Sequence, residues 1–183
     1  MKHPYLIGKK LYLRGLQRSD LGKNMFQWAN DAEVTHFMFM GSKPNTIEAL
    51  EAEYETLIKS EKDIPLAIID KKTDEHIGNA GFYVINWISR TAEYRIIIGE
   101  KKFWGKGYGQ ETAKLLLRYG FDKLNMNKIW LGVNISNKAG VTCYKRAGFV
   151  EEGVLREEIY RNGQYYDAVR MSVLRREFYE KKA

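Results

Sequence analysis

Near the middle of this chain a strand-like run, a turn dense in glycine and an amphipathic helix follow one another without a gap. That succession restricts the fold more than any other feature. The run is Glu93-Tyr94-Arg95-Ile96-Ile97-Ile98-Gly99, the turn is Phe103-Trp104-Gly105-Lys106-Gly107-Tyr108-Gly109, and the helix extends from Gln110 to Phe121. Gly105, Gly107 and Gly109 allow the backbone to bend tightly and to approach a ligand with several amides pointing one way. Ala113, Leu116, Leu117, Gly120, Phe121 and Leu124 recur at i, i+3, i+4 spacing and mark the helix. A helix start carries free N–H groups and the positive end of the dipole, so the turn reads as a seat for a diphosphate. Neither the dinucleotide fingerprint G-x-G-x-x-G nor the Walker loop fits, because the glycine spacing differs and no Lys-Ser/Thr pair follows. Taken alone, the loop is equally well read as a plain tight turn.

The rest of the chain sets bounds on what could surround such a turn. A length of 183 residues suffices for one well-filled core. The 44% hydrophobic and 29% charged content is that of a soluble globular protein. No apolar run approaches the roughly 20 residues that span a bilayer, and Met1 to Leu6 has no apolar signal region. Cys143 is the single cysteine, which excludes an internal disulfide and suits a reducing compartment, so the expectation is a cytoplasmic protein with no membrane partner. The net charge of +7 is compatible with nucleic acid or with a small polyanion. The basic residues are scattered and no nucleic-acid motif accompanies them, so no nucleic-acid partner is expected. His3, His36 and His76 lack metal-ligand spacing, and no metal is expected.

In order, Lys10 to Arg14 reads as a strand. Ser19-Asp20 can cap a helix running to about Asn30, with Leu21, Met25 and Trp28 on one face. An aromatic and Met-rich piece, Phe37 to Met40, precedes a second helix to about Lys59, capped by Asn45 with Glu48 three residues on. Ile64 to Ile69 and Ile77 to Ile85 are strands joined by a polar turn. After the glycine turn and its helix, Lys128 to Val133 is a strand and Asn137 to Ala147 a short helix stopped by Gly148. Val154 to Arg161 and Gln164 to Leu174 form a hairpin around Asn162-Gly163. The pattern β-α-α-β-β-β-α-β-α-β-β is a compact mixed α/β arrangement without repeats or linkers.

The glycine segment resembles the acyl-CoA loop of the GNAT N-acetyltransferases, written Q/R-x-x-G-x-G/A, which falls here on Trp104-Gly105-Lys106-Gly107-Tyr108-Gly109. Trp104 stands where Gln or Arg is usual. A second block about 35 residues on, Asn134 to Phe149, is similar to the family's downstream segment, in which Asn137 and Tyr144 flank a helix closed by Gly148-Phe149. Ala92 to Ile98 and Asn162 to Tyr165 resemble the branch that holds ribosomal-protein N-terminal and spermidine acetyltransferases. The resemblance implies a GNAT fold: a central, mixed but mostly antiparallel sheet, splayed at the acyl-CoA site and flanked by helices. It covers about residues 10 to 175 of a single domain, 1–183, that uses acetyl-CoA as cosubstrate.

The resemblance also implies roles. Tyr144 would be the general acid near the CoA sulfur. A phenol with a pKa of about 10 can donate to a thiolate whose conjugate acid lies at about 8.5, if the charge develops beside it. Asn137 would bond the pantetheine arm, and the backbone of Ile96, Ile97 and Ile98 would pair with it. Trp104, Gly105, Lys106, Gly107, Tyr108 and Gly109 would hold the diphosphate. Glu93 would take the proton of the amine through water. Gly140 would leave room near the cofactor. Glu33 would attract a cationic amine, with Trp28 and Tyr83 among the walls of its pocket. Each has a plainer reading: Tyr144 a core tyrosine, Asn137 an N-cap, Glu93 a structural carboxylate, Glu33 a solvated loop acid, Trp28 and Tyr83 core. The expected activity is direct transfer of acetyl to a primary amine, a polyamine or other small amine. A peptide N-terminus, for instance of a ribosomal protein, or an amino sugar is the alternative acceptor. A catalytically silent CoA-binding module is the alternative of another class. The hairpin and exposed strands could support a homodimer.

Overall fold

A computed structural model describes residues 3–180, with Lys23 as backbone alone. Eight strands form one sheet: β1 (Leu6–Ile7), β2 (Leu11–Gly15), β3 (Ile64–Asp70), β4 (His76–Asn86), β5 (Thr91–Ile98), β6 (Lys128–Asn134), β7 (Val150–Arg161) and β8 (Gln164–Leu174). The helices are α1 (Phe26–Ala29), α2 (Ile47–Lys59), α3 (Tyr108–Asp122), α4 (Lys138–Ala147) and α5 (Arg175–Glu180). The strand order is β1-β2-β3-β4-β5-β6-β8-β7, antiparallel throughout except where β5 meets β6. That exception follows from the chain path: β5 reaches β6 through α3, and a helical crossover returns the chain in the same direction.

The parallel pair is short. Only Thr91↔Lys128, Ala92↔Ile129 and Glu93↔Trp130 are in register, although β5 continues to Ile98 and β6 to Asn134. Beyond Glu93 the two strands part, and the sheet carries a wedge-shaped cleft between Tyr94–Ile98 on one side and 131–134 on the other. One face of the sheet holds the main core. Leu11, Leu13, Ile68, Ile77, Phe82, Ala92 and Tyr94 meet Ala113, Leu116, Leu117 and Phe121 of α3, all but closed to solvent. Each of the large aliphatic and aromatic side chains contributes on the order of 1.5–3 kcal/mol by its burial. The opposite face, with Tyr12, Ala67 and Ile69, is covered by the chain that leads into α2 and by α2 itself.

Several expectations about this covering segment are corrected. The continuous helix from Ser19 to Asn30 is a 3-10 turn (Arg18–Asp20), a π-helical turn (Leu21–Met25) and one turn of α1. Asp20 points inward, where it accepts two hydrogen bonds from Arg14 (2.7 and 2.6 Å) and one from the Gln17 amide (2.8 Å). The need to pair a buried arginine overrides regular helix there. Asn45 does not cap α2; its Nδ2 donates to the carbonyls of Ala29 and Met40 (both 2.9 Å), and Thr46 caps instead, accepting from the Ala49 amide at 3.1 Å. In the second half Asn137 and Gly148 bound α4 as expected, Gly148 with φ +116°. The hairpin turns at Asn162-Gly163. The sequence reading did not include α5, whose six residues are too few to show a period.

Candidate active site

The glycine turn is held from four directions. The Trp104 indole N–H donates to the Ile98 carbonyl (2.7 Å), the Tyr108 hydroxyl to Asp70 (2.6 Å), and Lys10 Nζ to the Lys106 carbonyl (2.7 Å). The Lys10 amide donates to Glu111 on the first turn of α3 (2.9 Å). Gly105 and Gly107 have φ of +70° and +85°, a region that L side chains enter at a cost, so both are required by the turn. Gly109 differs from expectation: it lies inside α3, without positive φ, where a Cβ would reach 3.4 Å from Cys143 Sγ of α4. Gly107 is the residue before α3 and has no side chain to cap it, which leaves the amides of Tyr108, Gly109 and Gln110 facing outward at a helix start. Lys10 Nζ lies 3.4 Å from the position of a Gly107 Cβ and adds a cation to this edge. Amides, dipole and lysine together suit a diphosphate. Lys10 is a part of the site that sequence reasoning missed, since nothing local signals a contact across 96 residues. Trp104, which stands where the family pattern has Gln or Arg, ties the turn to the end of β5.

The cleft between β5 and β6 begins beside this turn. On the α3 face, Tyr144 of α4 is half-buried, its ring perpendicular to that of Tyr94 (centroids 6.2 Å apart) and 5.9 Å from Phe149. Burial, followed by the neighbouring Cys143, pushes the Tyr144 hydroxyl well above its ordinary pKa, so it stays protonated and able to donate. Asn137 caps α4, its Oδ1 accepting from the Gly140 amide at 2.9 Å. A Cβ at Gly140 would meet that Asn137 side chain at 2.7 Å, so the room at Gly140 admits the cap. Burial also raises the Cys143 thiol, with Arg146 opposing, which leaves it a poor nucleophile.

Glu93 lies on the other face. It is held by Arg95 two residues on (2.7 Å), and Arg95 stacks over Tyr83 at 4.9 Å. Tyr83 is opposite Glu93 in the β4–β5 register, and burial pushes its hydroxyl up to about 12. Glu93, Arg95 and Tyr83 are thus one cluster. Glu33 and Trp28 do not join it. Lys101 binds both Glu33 (2.6 Å) and Asp31 (2.9 Å), so a cation of the chain itself already occupies this acidic pair. Trp28 is 4% exposed, donates its indole N–H to Glu100 (3.0 Å) and packs on His76. A small cleft of about 130 Å³ lies at the C-terminal end of β6, lined by His36, Phe37, Asn134, Ser136, Arg161 and Tyr166 among others. Its lining holds an arginine and no carboxylate. Among the described residues no group of three metal-ligating side chains occurs, and no helix is long and apolar enough to cross a membrane.

The acetyltransferase (GNAT) domain family matches residues 10–150. Among curated proteins, a spermidine N(1)-acetyltransferase of Vibrio cholerae is 33% identical over 173 residues, 94% of this chain and 97% of its own length. A spermidine N(1)-acetyltransferase of Escherichia coli is 32% identical over 91% of this chain and 87% of its own. The solved spermidine N-acetyltransferase of Vibrio cholerae in complex with CoA and spermine superposes with a TM-score of 0.85 over 93% of this chain and 98% of that one, at 33% identity. With the family matched over most of the chain and relatives above 30% identity covering more than nine-tenths of it, the chain belongs to the GNAT acetyltransferase family and is an acetyl-CoA-dependent N-acetyltransferase.

Proposed function

We propose that the chain acetylates a small primary amine, a polyamine being the first candidate, by direct transfer within residues 10 to 175 acting as one domain. The observation that carries this reading is the separation of Tyr144 and Glu93 onto opposite faces of the sheet at the point where β5 and β6 part. Acetyl-CoA supplies the acetyl group as a thioester. The chain's own groups hold and orient it and move two protons. The amides from Lys106 to Gln110 and the Lys10 ammonium hold the diphosphate, and the backbone of Ile96, Ile97 and Ile98, along the β5 edge that β6 leaves, orients the pantetheine arm. Glu93, held by Arg95, accepts the amine proton through water on one face. Tyr144 returns a proton to the leaving sulfur on the other. The names of the aligned relatives favour a polyamine.

A peptide N-terminus is the second reading, and one observation favours it. Arg161 lines the cleft beside Asn134 and Ser136, where a polycation would be repelled and a carbonyl oxygen next to an amine would be bound. Purified protein supplied with acetyl-CoA and a panel of spermidine, peptides with free N-termini and amino sugars, scored by CoA release, separates these readings. Turnover with spermidine well above the other amines is expected. Turnover with peptides alone transfers the assignment to the second reading. Release no faster than spontaneous thioester hydrolysis with every amine overturns both.

A further inference from the structure

Asp70 is the last residue of β3 and is 3% exposed, and the two oxygens of its carboxylate have separate tasks. Oδ2 accepts from the Thr73 amide and the Thr73 hydroxyl (both 2.8 Å), which closes the turn from β3 to β4. Oδ1 accepts from the Tyr108 hydroxyl at 2.6 Å, across 38 positions, on the first residue of α3. The local turn is complete without Tyr108, and a phenylalanine there would keep the edge-on contact with Phe103 (5.0 Å between centroids). Neither the turn nor the packing requires the hydroxyl. Asp70 is paired in register with Leu11, so it lies next to Lys10, whose Nζ donates to the Lys106 carbonyl at 2.7 Å. The ends of two neighbouring strands therefore grip the residues on either side of Gly107. There the backbone enters the left-handed region (φ +85°) and the first amides of α3 face outward. Burial would raise the Asp70 carboxyl, but the hydrogen bonds from Tyr108 and Thr73 outweigh it and hold it below its usual range. A negative charge is thus kept a ring's length from a turn that suits a diphosphate. Coulomb repulsion makes it unfavourable to such a ligand, so its contribution has to be geometric.

We propose that Asp70 is a positioning residue for acetyl-CoA. It holds the Tyr108 hydroxyl and, with Lys10 on the other side of Gly107, fixes the start of α3 so that the amides of Tyr108, Gly109 and Gln110 stand ready for the diphosphate. The inference rests on the assignment of the diphosphate to these amides. A hydrogen bond to a buried carboxylate is stronger than one between neutral groups, which suits it to hold a turn. A turn held before the ligand arrives has little freedom left to lose on binding. The diphosphate is far from the reacting thioester and is gripped alike in the ground state and the transition state. The contribution therefore belongs to KM for acetyl-CoA rather than to kcat.

Tyr108→Phe, Asp70→Asn and the double variant test this in the full chain. Each is measured for kcat, KM for acetyl-CoA, CoA affinity, melting temperature and amide hydrogen exchange at positions 106–110. Tyr108→Phe keeps the ring and leaves Asp70 its bonds from Thr73. It is expected to raise KM and weaken CoA binding by about tenfold, hold kcat within about twofold and speed exchange at 106–110 in the ligand-free protein. Asp70→Asn removes a charge that repels the diphosphate, yet is expected to raise KM by about threefold, because a neutral amide accepts from the phenol more weakly. A lowered KM in Asp70→Asn overturns the positioning role in favour of plain repulsion. In the Tyr108→Phe background Asp70→Asn is expected to give no further rise, as the two residues act through one hydrogen bond. An unchanged KM in Tyr108→Phe, while CoA slows exchange at 106–110 in the wild type, overturns the role of Asp70 and leaves the diphosphate assignment standing. A lowered melting temperature with KM unchanged likewise assigns the bond to folding alone. Exchange at 106–110 that CoA leaves unaltered in the wild type overturns the assignment and the role of Asp70 together.

Discussion

In the proposed mechanism Tyr144 is the proton donor; its half-buried ring packs against Tyr94 and Phe149, and removing the hydroxyl leaves that packing in place. Tyr144→Phe is expected to lower kcat by about 10²-fold with CoA affinity unchanged, as measured by steady-state kinetics and calorimetry. Because burial moves this hydroxyl upward, wild-type kcat should show no loss from Tyr144 deprotonation up to about pH 10. An alkaline limb that starts near pH 8 and disappears in Tyr144→Phe would contradict the assignment. Gly107 makes a different demand, of backbone rather than of chemistry. With φ at +85°, Gly107→Ala forces a left-handed alanine at the start of α3 and should cost about 1–2 kcal/mol in denaturant unfolding while raising KM for acetyl-CoA. At this scale the sequence made Tyr144, Asn137 and the glycines visible, because their spacing is local. It hid Lys10 and the Lys101 bridge to Glu33, because those pairings join residues 96 and 68 positions apart.

The elements were easiest to read where one local signal dominated. The periodicity of α3, the Asn137 and Gly148 ends of α4 and the Asn162-Gly163 turn each settle their element without help from the rest of the chain. The segment from Arg18 to Ala29 is governed instead by a distant need. Arg14 of β2 is buried and takes Asp20 as its partner, with His76 of β4 nearby at 3.7 Å, so the helix bends into 3-10 and π turns to deliver the carboxylate. Burial alone would lift Asp20, but the Arg14 and Gln17 hydrogen bonds and His76 outweigh it and hold the carboxyl below its usual range. Burial lowers His76, against the pull of Asp20.

Both groups therefore bind fewer protons folded than unfolded, and protonation opposes folding. Their contribution is complete above the ordinary His value of 6.5. It begins to fall as pH drops below that and falls again below 3.8 as Asp20 titrates. Denaturant unfolding measured from pH 8 to 3 should show both losses, and flat stability through the first would refute the His76 contribution. Asp20→Asn strands the buried Arg14 charge and should cost about 3–5 kcal/mol at neutral pH while reducing the loss below pH 4.

Across the whole molecule, one short parallel strand pair in an otherwise antiparallel sheet opens the cleft at the candidate site. β5 and β6 hold only three register pairs before diverging, so beyond Glu93 the β6-facing edge of β5 has no strand partner, and strand alternation puts Glu93 on the face away from Tyr94 and Tyr144. The chain's pattern indicated seven of the eight strands, the two-residue β1 being too short to show alternation, as well as their order along the chain and the resemblance to the family, so most of the architecture was legible. The facing of the side chains across the cleft was not, since it depends on register between strands separated by α3. The central claim is that the amides from Lys106 to Gln110 cradle the diphosphate of CoA, and amide hydrogen exchange at those positions, with and without saturating CoA, tests it most directly. Exchange there is expected to slow markedly on binding, with Gly107 and Tyr108 among the most protected. Unaltered exchange at these amides, with CoA demonstrably bound, would contradict the account.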